Sequence, residues 1–410
     1  MRARTVRLGI ATAACAALSA TFAAPALAAE TTGDAGLYGA QDPTYDGVYR
    51  QSLAIIGLVA NGHTPDPKAV DWLLAQQCSD GAFTAYRADV SKPCAAKNED
   101  ENATAMAIQA LTALHKSTGT ALAALKKFQL PDGGFYDSSA FGAPASDANS
   151  TGLALSAFAA AGVDSTTISN GGKTGDDYLR SLQIACAAKG GGAFDFQAEK
   201  TLVANDYATV QALLGQLGKS LPIAPTPPAA AVSTCADPTD AASSASAAVS
   251  YVVARLVDSK GAIPSSLGSG TDWTMTANAV LDLVAAGQGA DAVTAGTTAL
   301  QTNARAYAQT GAGALGTLLL VARATEADPT SFGGLDLVTT LTRSERTASP
   351  APSPSPSAAP SAAPVAAPAP ALPMTGSSHT APIVGVGAAL LVLGGGALFL
   401  SRRIRTGADS

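Results

Sequence analysis

The chain has 410 residues, a net charge of −6, 14% charged and 5% aromatic residues, and 47% hydrophobic ones. The acidic balance argues against nucleic acid as a partner, and the length is ample for one large core. With only His63, His115 and His379 and no Cys-x-x-Cys, neither a metal site nor a cofactor motif is expected.

Residues 1–28 read as a secretory signal. Arg2, Arg4 and Arg7 open it, an apolar run follows, and Ala26-Leu27-Ala28 is a small-x-small cleavage site. Residues 29–45 are polar and glycine-rich, a flexible lead. Helical patterning then runs over 46–345, the span expected to form the globular domain. The first helix is expected over 48–61. Asp66-Pro67 opens the second, with Asp66 as cap and Pro67 in the first turn. Residues 102–115 are apolar on nearly every face, as a helix buried all round would be. Residues 120–130 are amphipathic, with Lys126 and Lys127 exposed.

This alternation continues along the chain. Buried-type helices are expected near 48–61, 102–115, 149–162, 205–218, 273–286 and 313–325. Half-exposed ones are expected near 67–78, 120–130, 174–187, 239–257, 290–309 and 331–343. About six of each make an all-α fold, an α/α toroid with an inner ring inside an outer ring, because an open array would leave terminal faces uncapped. A recurring spacing supports the inner set. Counting from Asp100, Thr104 stands at +4 with small residues at +5 and +7. Asp147 gives Thr151, Gly152 and Ala154, and Asp272 gives Thr276, Ala277 and Ala279. Counted from Asp206 the pattern fits less well, with Val210 at +4.

One turn occurs twice, 52 residues apart: Gln77-x-x-Asp80-Gly81-x-Phe83 and Gln129-x-x-Asp132-Gly133-x-Phe135. The glycine can take a positive φ past a helix end, the Asp favours the turn, and the Phe re-enters the core. A third copy keeps Gln183 and Gly192-Ala193-Phe194, and a fourth keeps Asp258, Gly261 and Ile263. These turns and the Thr-Ala-x-Ala inner helices resemble the prenyltransferase and squalene oxidase repeat of terpenoid-cyclase and protein-prenyltransferase toroids. The resemblance implies the toroid. It does not carry the chemistry over: there is no Asp-x-Asp-Asp acid, no zinc-binding Asp-Cys-His set and no Cys-Gly-Glu-Gln thioester, so the chain leans towards being no enzyme and no catalytic residue is assigned.

Cys78, Cys94, Cys186 and Cys235 remain after the signal, an even number for an oxidising compartment. Three pairings are open. Cys78–Cys94 and Cys186–Cys235 are favoured, each stapling one excursion between consecutive helices, for about 3 and about 4 kcal/mol.

In the toroid topology the turns and the inner-helix N-termini share one end. Asp46, Glu99, Asp100, Glu101, Asp147, Asp206 and Asp272 would ring it, with Asn102 and Asn149 beside them and Tyr49, Tyr86, Tyr207 and Trp273 available to stack on sugars. The plainer reading is helix caps and solvated acids. The sharper reading is a mouth that binds a small molecule, a glycan or a protein. Three functions stay open: a binding module, a glycan hydrolase or lyase using two carboxylates, and a structural or adhesion spacer. A binding module should show a cavity of a few hundred Å³, and a spacer should show a mouth plugged by side chains.

Beyond the domain, residues 346–371 are mostly Pro, Ala and Ser. Such a stretch favours extended polyproline II, and about 24 residues of it would reach roughly 70 Å. Leu372-Pro373-Met374-Thr375-Gly376 follows, then the apolar run 382–400, then a basic tail over 401–410 with Arg402, Arg403 and Arg405. Nineteen helical residues span about 28 Å, close to one hydrocarbon core, and the arginines suit a positive-inside stop. Together these resemble the sorting signal of sortase-anchored wall proteins of Gram-positive bacteria. The resemblance implies that a sortase cysteine attacks the Thr375 carbonyl, releases Gly376 onward, and passes the acyl group to a peptidoglycan amine.

Overall fold

A computed structural model describes residues 34–140, 142–266 and 268–347. The signal, the sorting motif, the 382–400 span, the basic tail and the stalk beyond residue 347 lie outside the described residues. Twelve α-helices are present among those described. They are α1 Gly47–Ala60, α2 Pro67–Ala75, α3 Glu101–Ala113, α4 Gly119–Leu125, α5 Ala148–Ala160, α6 Gly175–Ser181, α7 Asp206–Gln216, α8 Ala241–Asp258, α9 Trp273–Ala286, α10 Ala290–Ala308, α11 Ala312–Ala324 and α12 Leu337–Thr342. No described helix is long and apolar enough to cross a membrane.

The odd-numbered helices form a closed ring. Each packs on the next, and α11 returns to α1. The even-numbered helices lie outside, α2 on α1, α4 on α3, α6 on α5, α8 on α7 and α9, α10 on α9 and α11, and α12 on α11. The inner set is apolar on all sides because all its sides are covered: every residue of α3 from Glu101 to Leu111 is buried. Small residues set the spacing where two inner helices touch most closely. A Cβ on Gly57 of α1 would stand 2.7 Å from the Gly316 carbonyl oxygen of α11, and one on Gly152 of α5 would collide with the Ala212 backbone of α7.

The repeated turn works the same way each time. The Gln77 side-chain amide donates to the Gly81 carbonyl at 3.0 Å, as Gln129 does to Gly133 and Gln183 to Gly192, each at 2.9 Å. Gly81 and Gly133 take φ of 100° and 90°. The buried ring of Phe83 follows, and its N–H donates to the Thr104 hydroxyl at 2.9 Å. Phe135 does the same to Thr151, Phe194 to Thr209 and Ile263 to Thr276. The threonine at +4 therefore bolts each turn to the inner helix that follows it.

Several expectations need correction. The repeat register in α7 starts at Asn205, whose side chain caps Ala208 N–H at 3.0 Å, so Thr209 is the +4 residue. Counting from Asp206 was one residue late, because Asn caps as well as Asp does. The outer helices α2, α6 and α12 end or start inside their expected spans. In α2 and α6 the turn glutamine leaves the helix to bridge the phenylalanine after the turn, and in α12 the segment before Asp336 is a turn. The lead is not loose from residue 34 on. Leu37 and Tyr38 are buried, and the Gln51 amide of α1 satisfies the Tyr38 N–H and the Gly36 and Ala69 carbonyls. The domain also ends later than residue 345. Arg346 is paired with Asp34 at 2.6 Å, both nearly buried, and its backbone bonds to Gly36 and Leu37. The two ends thus clasp each other.

Both favoured disulfides form, Cys78–Cys94 and Cys186–Cys235, with Cα atoms 5.7 and 5.6 Å apart. The second does not staple a single loop as expected. It reaches across α7, tying the chain after α6 to the chain before α8.

The C-terminal end of the ring is crossed by the loop after α7. Leu221 N–H donates to Gln109 of α3, Ile223 enters the core, and Ala229 bonds to Gly287 after α9. Because α3 and α9 lie across the ring from each other, this loop closes that end.

Candidate functional site

The other end, at the N-termini of the inner helices, carries the candidate site. Phe83, Phe135, Phe158 and Phe194 belong to the packed core, all at most 1% exposed. At this end lies a pocket of about 30 Å³, lined from four helix starts. Tyr45, Asp46 and Tyr49 come from α1 and the residues before it, and Asp100, Asn102 and Ala103 from the start of α3. Asn149 and Leu153 come from α5, and Tyr207 and Gln211 from α7. Ala85 and Asp137 complete the wall from the segments after the first two turns. Such a volume holds about two waters, well short of the few hundred Å³ expected for enclosing a small molecule.

A short chain of hydrogen bonds fixes the wall. Asn149 Nδ2 donates to Asn102 Oδ1 at 3.3 Å, and Asn102 Nδ2 to Asp137 Oδ1 at 3.0 Å. The Asp137 carbonyl accepts from Glu101 N–H at 2.8 Å. Asn149 Oδ1 has no donor among the described residues, nor has either carboxyl oxygen of the fully buried Glu101.

The electrostatics follow from burial. Asp137 is pushed up to about 6 by burial, which outweighs the Asn102 hydrogen bond. Asp100 is raised well above the ordinary range, by burial and then by Asp137. Burial, then Asp137, Asp147 and Asp100, raises Glu101 strongly. Burial lifts Asp147 to about 7, against the pull of the Ser150 N–H. Among the described residues no basic group bears on these four carboxyls. Arg50, the nearby cation, is held by Asp46 at 2.9 Å and by the carbonyls of Gln41 and Asp42.

The expected mouth residues divide. Asp100, Asn102, Asn149, Asp46, Tyr49 and Tyr207 come together. Asp147 stands behind them, capping α5 through Ser150 N–H at 2.8 Å. Asp206 does not join: it accepts from both Arg255 and the Tyr251 hydroxyl on α8. Asp272 is turned into its own helix as the cap for Met275, at 2.9 Å. Tyr86 stacks over Trp72 at 6.4 Å and gives its hydroxyl to Asp34, and Trp273 packs against the core without lining the pocket. The pocket is off-centre, under α1, α3, α5 and α7, so the start of α9 is outside it.

Sequence reading missed Asp137 and Gln211. For Asp137 a signal existed. It lies two residues after Phe135 in an extended segment, and alternation sends positions 0 and +2 to the same face. Ala85 holds the same place after Phe83, and it too lines the pocket.

A second hollow, of about 370 Å³, lies at the opposite end between the end of α7 and the start of α8. It is shallow and has no aromatic ring, its walls being small and polar residues such as Thr166, Ala245, Ser246 and Gln288.

No protein-family model and no curated protein sequence matches this chain. Among solved structures it is similar to a protein from Actinoplanes, with 13% identity and a TM-score of 0.44 over 67% of this chain and 89% of that one. It is also similar to the type II terpene cyclase MstE from Scytonema, with 14% identity and a TM-score of 0.37 over 60% of this chain and 68% of that one. A variant of the same cyclase, solved with geranylgeranyl dihydroxybenzoate as substrate, gives 13% identity and a TM-score of 0.41. At these scores the toroid rests on the closed ring of helix contacts, not on the likeness.

Proposed function

We propose that this chain is an exported wall protein whose toroid is a binding module without catalytic chemistry of its own. The observation that carries the binding role is the convergence of Asp100, Asp137, Asn149, Tyr49 and Tyr207 on one small opening. A pocket of this size does not enclose a ligand. It grips one end group of something that extends beyond it, a polymer, a protein or a longer small molecule. The two disulfides support an oxidising compartment. The anchoring rests on the order of Leu372–Gly376, the apolar run and the arginines, with sortase as the processing enzyme and peptidoglycan as the covalent partner through Thr375.

A second reading, glycan cleavage, has one observation in its favour. Asp100 and Asp137 share a wall and are both pushed up, by burial first, as carboxyls that hold a proton near neutral pH are. The small volume weighs against it, since no sugar ring can enter between them.

Two experiments test the proposal. A thermal-shift screen with wall fragments and surface polymers should give hits that raise the Tm of wild type and fail to raise that of Asp137→Asn. Hits that shift both equally place binding elsewhere. For anchoring, wild type should be released from cells only by wall-digesting enzymes, while Thr375→Ala stays with the membrane or the medium. Identical fractionation of the two would remove the sortase step.

A further inference from the structure

The pocket combines features that specify the chemistry of what it grips. Three tyrosines, Tyr45, Tyr49 and Tyr207, and three aspartates, Asp46, Asp100 and Asp137, share its wall. Asp46 already has Arg50 as its counter-ion, so Asp100 and Asp137 are the two lining carboxyls with no cation. Asn149, 5% exposed, brings an acceptor oxygen that no donor satisfies among the described residues. An uncompensated buried acceptor costs about 1–3 kcal/mol, so a donor supplied from outside relieves a standing penalty. The inner-helix N-termini would favour an anion, but Asp100 and Asp147 spend those N–H groups as caps on Ala103 and Ser150. What remains is an oxygen-rich wall, since Asn102 Nδ2 and Asn149 Nδ2 donate within it, with tyrosine rings beside it and room for about two waters.

We propose that this pocket takes the ammonium group of an unbranched alkylamine, its three N–H bonds directed at Asp100, Asp137 and Asn149 and its methylenes against Tyr49 and Tyr207. This rests on the binding role proposed above and names the ligand class. An ammonium carries three donors and no acceptor, which matches the oxygens of Asp100, Asp137 and Asn149; its charge favours the ionised form of two carboxyls that burial otherwise holds up, and tyrosine faces attract a cation. A guanidinium is broader and planar and suits the volume less well. The amine can come from a free polyamine or from a lysine-type side chain on a polymer or protein, and both present the same group.

Titration calorimetry on the purified full-length chain separates these. The probes are n-butylamine, Nα-acetyl-lysine methylamide, and n-butanol as the isosteric uncharged control. Butylamine is expected to bind and butanol not to. Asp137→Asn and, separately, Asn149→Ala should each weaken butylamine at least tenfold while retaining a cooperative melt. Equal affinity for the lysine derivative points to a side chain on a larger partner, and binding of butylamine alone points to free amines. Either result supports the ammonium assignment. Equal binding of butylamine and butanol by wild type overturns it without recourse to any variant, as does unchanged butylamine affinity in both variants. If butylamine fails but the polymer screen still finds Asp137-dependent hits, the ligand class is wrong and the binding role stands. If both fail, the mouth is not a binding site.

Discussion

The buried carboxyls make a sharp prediction about stability and pH. Asp147 is 4% exposed, and burial raises it from 3.8 to about 7. A carboxyl whose pKa is higher in the folded state holds its proton more tightly there. Its contribution is therefore complete below about pH 4 and is lost as pH rises through about 7. The difference of roughly 3 units corresponds to about 4 kcal/mol, a large share of the roughly 5–15 kcal/mol that holds a domain together. Asp137, raised to about 6, acts in the same direction over a narrower window. The surface caps act the other way: Asp177, Asp240 and Asp336 are held low by the N–H and hydroxyl groups they accept from, and their contribution is lost as pH falls below about 4. Maximum stability should lie near pH 4–5. Urea unfolding from pH 4.5 to 8 should show a falling midpoint in wild type. Asp147→Asn keeps the cap on Ser150, since Asn caps as well as Asp, and should flatten the slope between pH 5 and 7. A wild-type midpoint that is constant or rises over that range would refute the reasoning, because it would mean the carboxyl is ionised in the fold without penalty.

Other expectations follow from single contacts. Thr151→Val keeps the shape of a fully buried side chain but leaves the Phe135 N–H without an acceptor; a loss of about 1–3 kcal/mol is expected, read by urea denaturation, and Thr104→Val and Thr209→Val should behave alike if the bolt is the same in each repeat. Gly57→Ala sets a methyl 2.7 Å from the Gly316 carbonyl oxygen where the ring closes; overpacking of about 1–3 kcal/mol is expected, whereas Gly62→Ala, where no atom lies within 4 Å, should lose only what its positive φ of 76° requires. Arg346→Ala removes the cation paired with the nearly buried Asp34 and leaves the Tyr86 hydroxyl as a neutral donor to it; a loss of about 3 kcal/mol is expected, with early hydrogen exchange over residues 34–42 as the local signature.

The inner ring was legible because burial on every side leaves a plain trace: runs such as Ala103–Leu111 with no polar face. The turn was legible because glycine, Asp and Phe each have one physical job there, and the job recurs. The lead was misread for the opposite reason. Its polar, glycine-rich composition hides Leu37 and Tyr38, and what orders it is Gln51, thirteen residues on from Tyr38 and silent until the backbone groups it satisfies are known. The site was half legible. Capping residues place themselves by sequence, so Asp100 and Asp147 were found. Partner choice across helices does not, so nothing near Asp206 announces that Arg255, 49 residues away, will claim it.

The filled interior and the open rim belong to one design. A toroid that encloses its ligand must line the ring with residues that stop short of the axis. Here the turn phenylalanines and Phe158 are packed into the core to within 1% exposure, and each would cost about 3–5 kcal/mol to truncate. The loop over Leu221–Ala229 seals the far end as well. Chemistry is thereby displaced to the one place where packing cannot follow, the N-termini of four inner helices, where caps must be polar and neighbouring caps are brought close by the ring itself. Asp100 and Asp147 are there first for the helices. Asp137 is not a cap, nor are Tyr49 and Tyr207, so their presence on the same wall is not accounted for by helix formation. Those three, rather than the acidic caps, are the residues whose replacement should separate a binding function from a structural one.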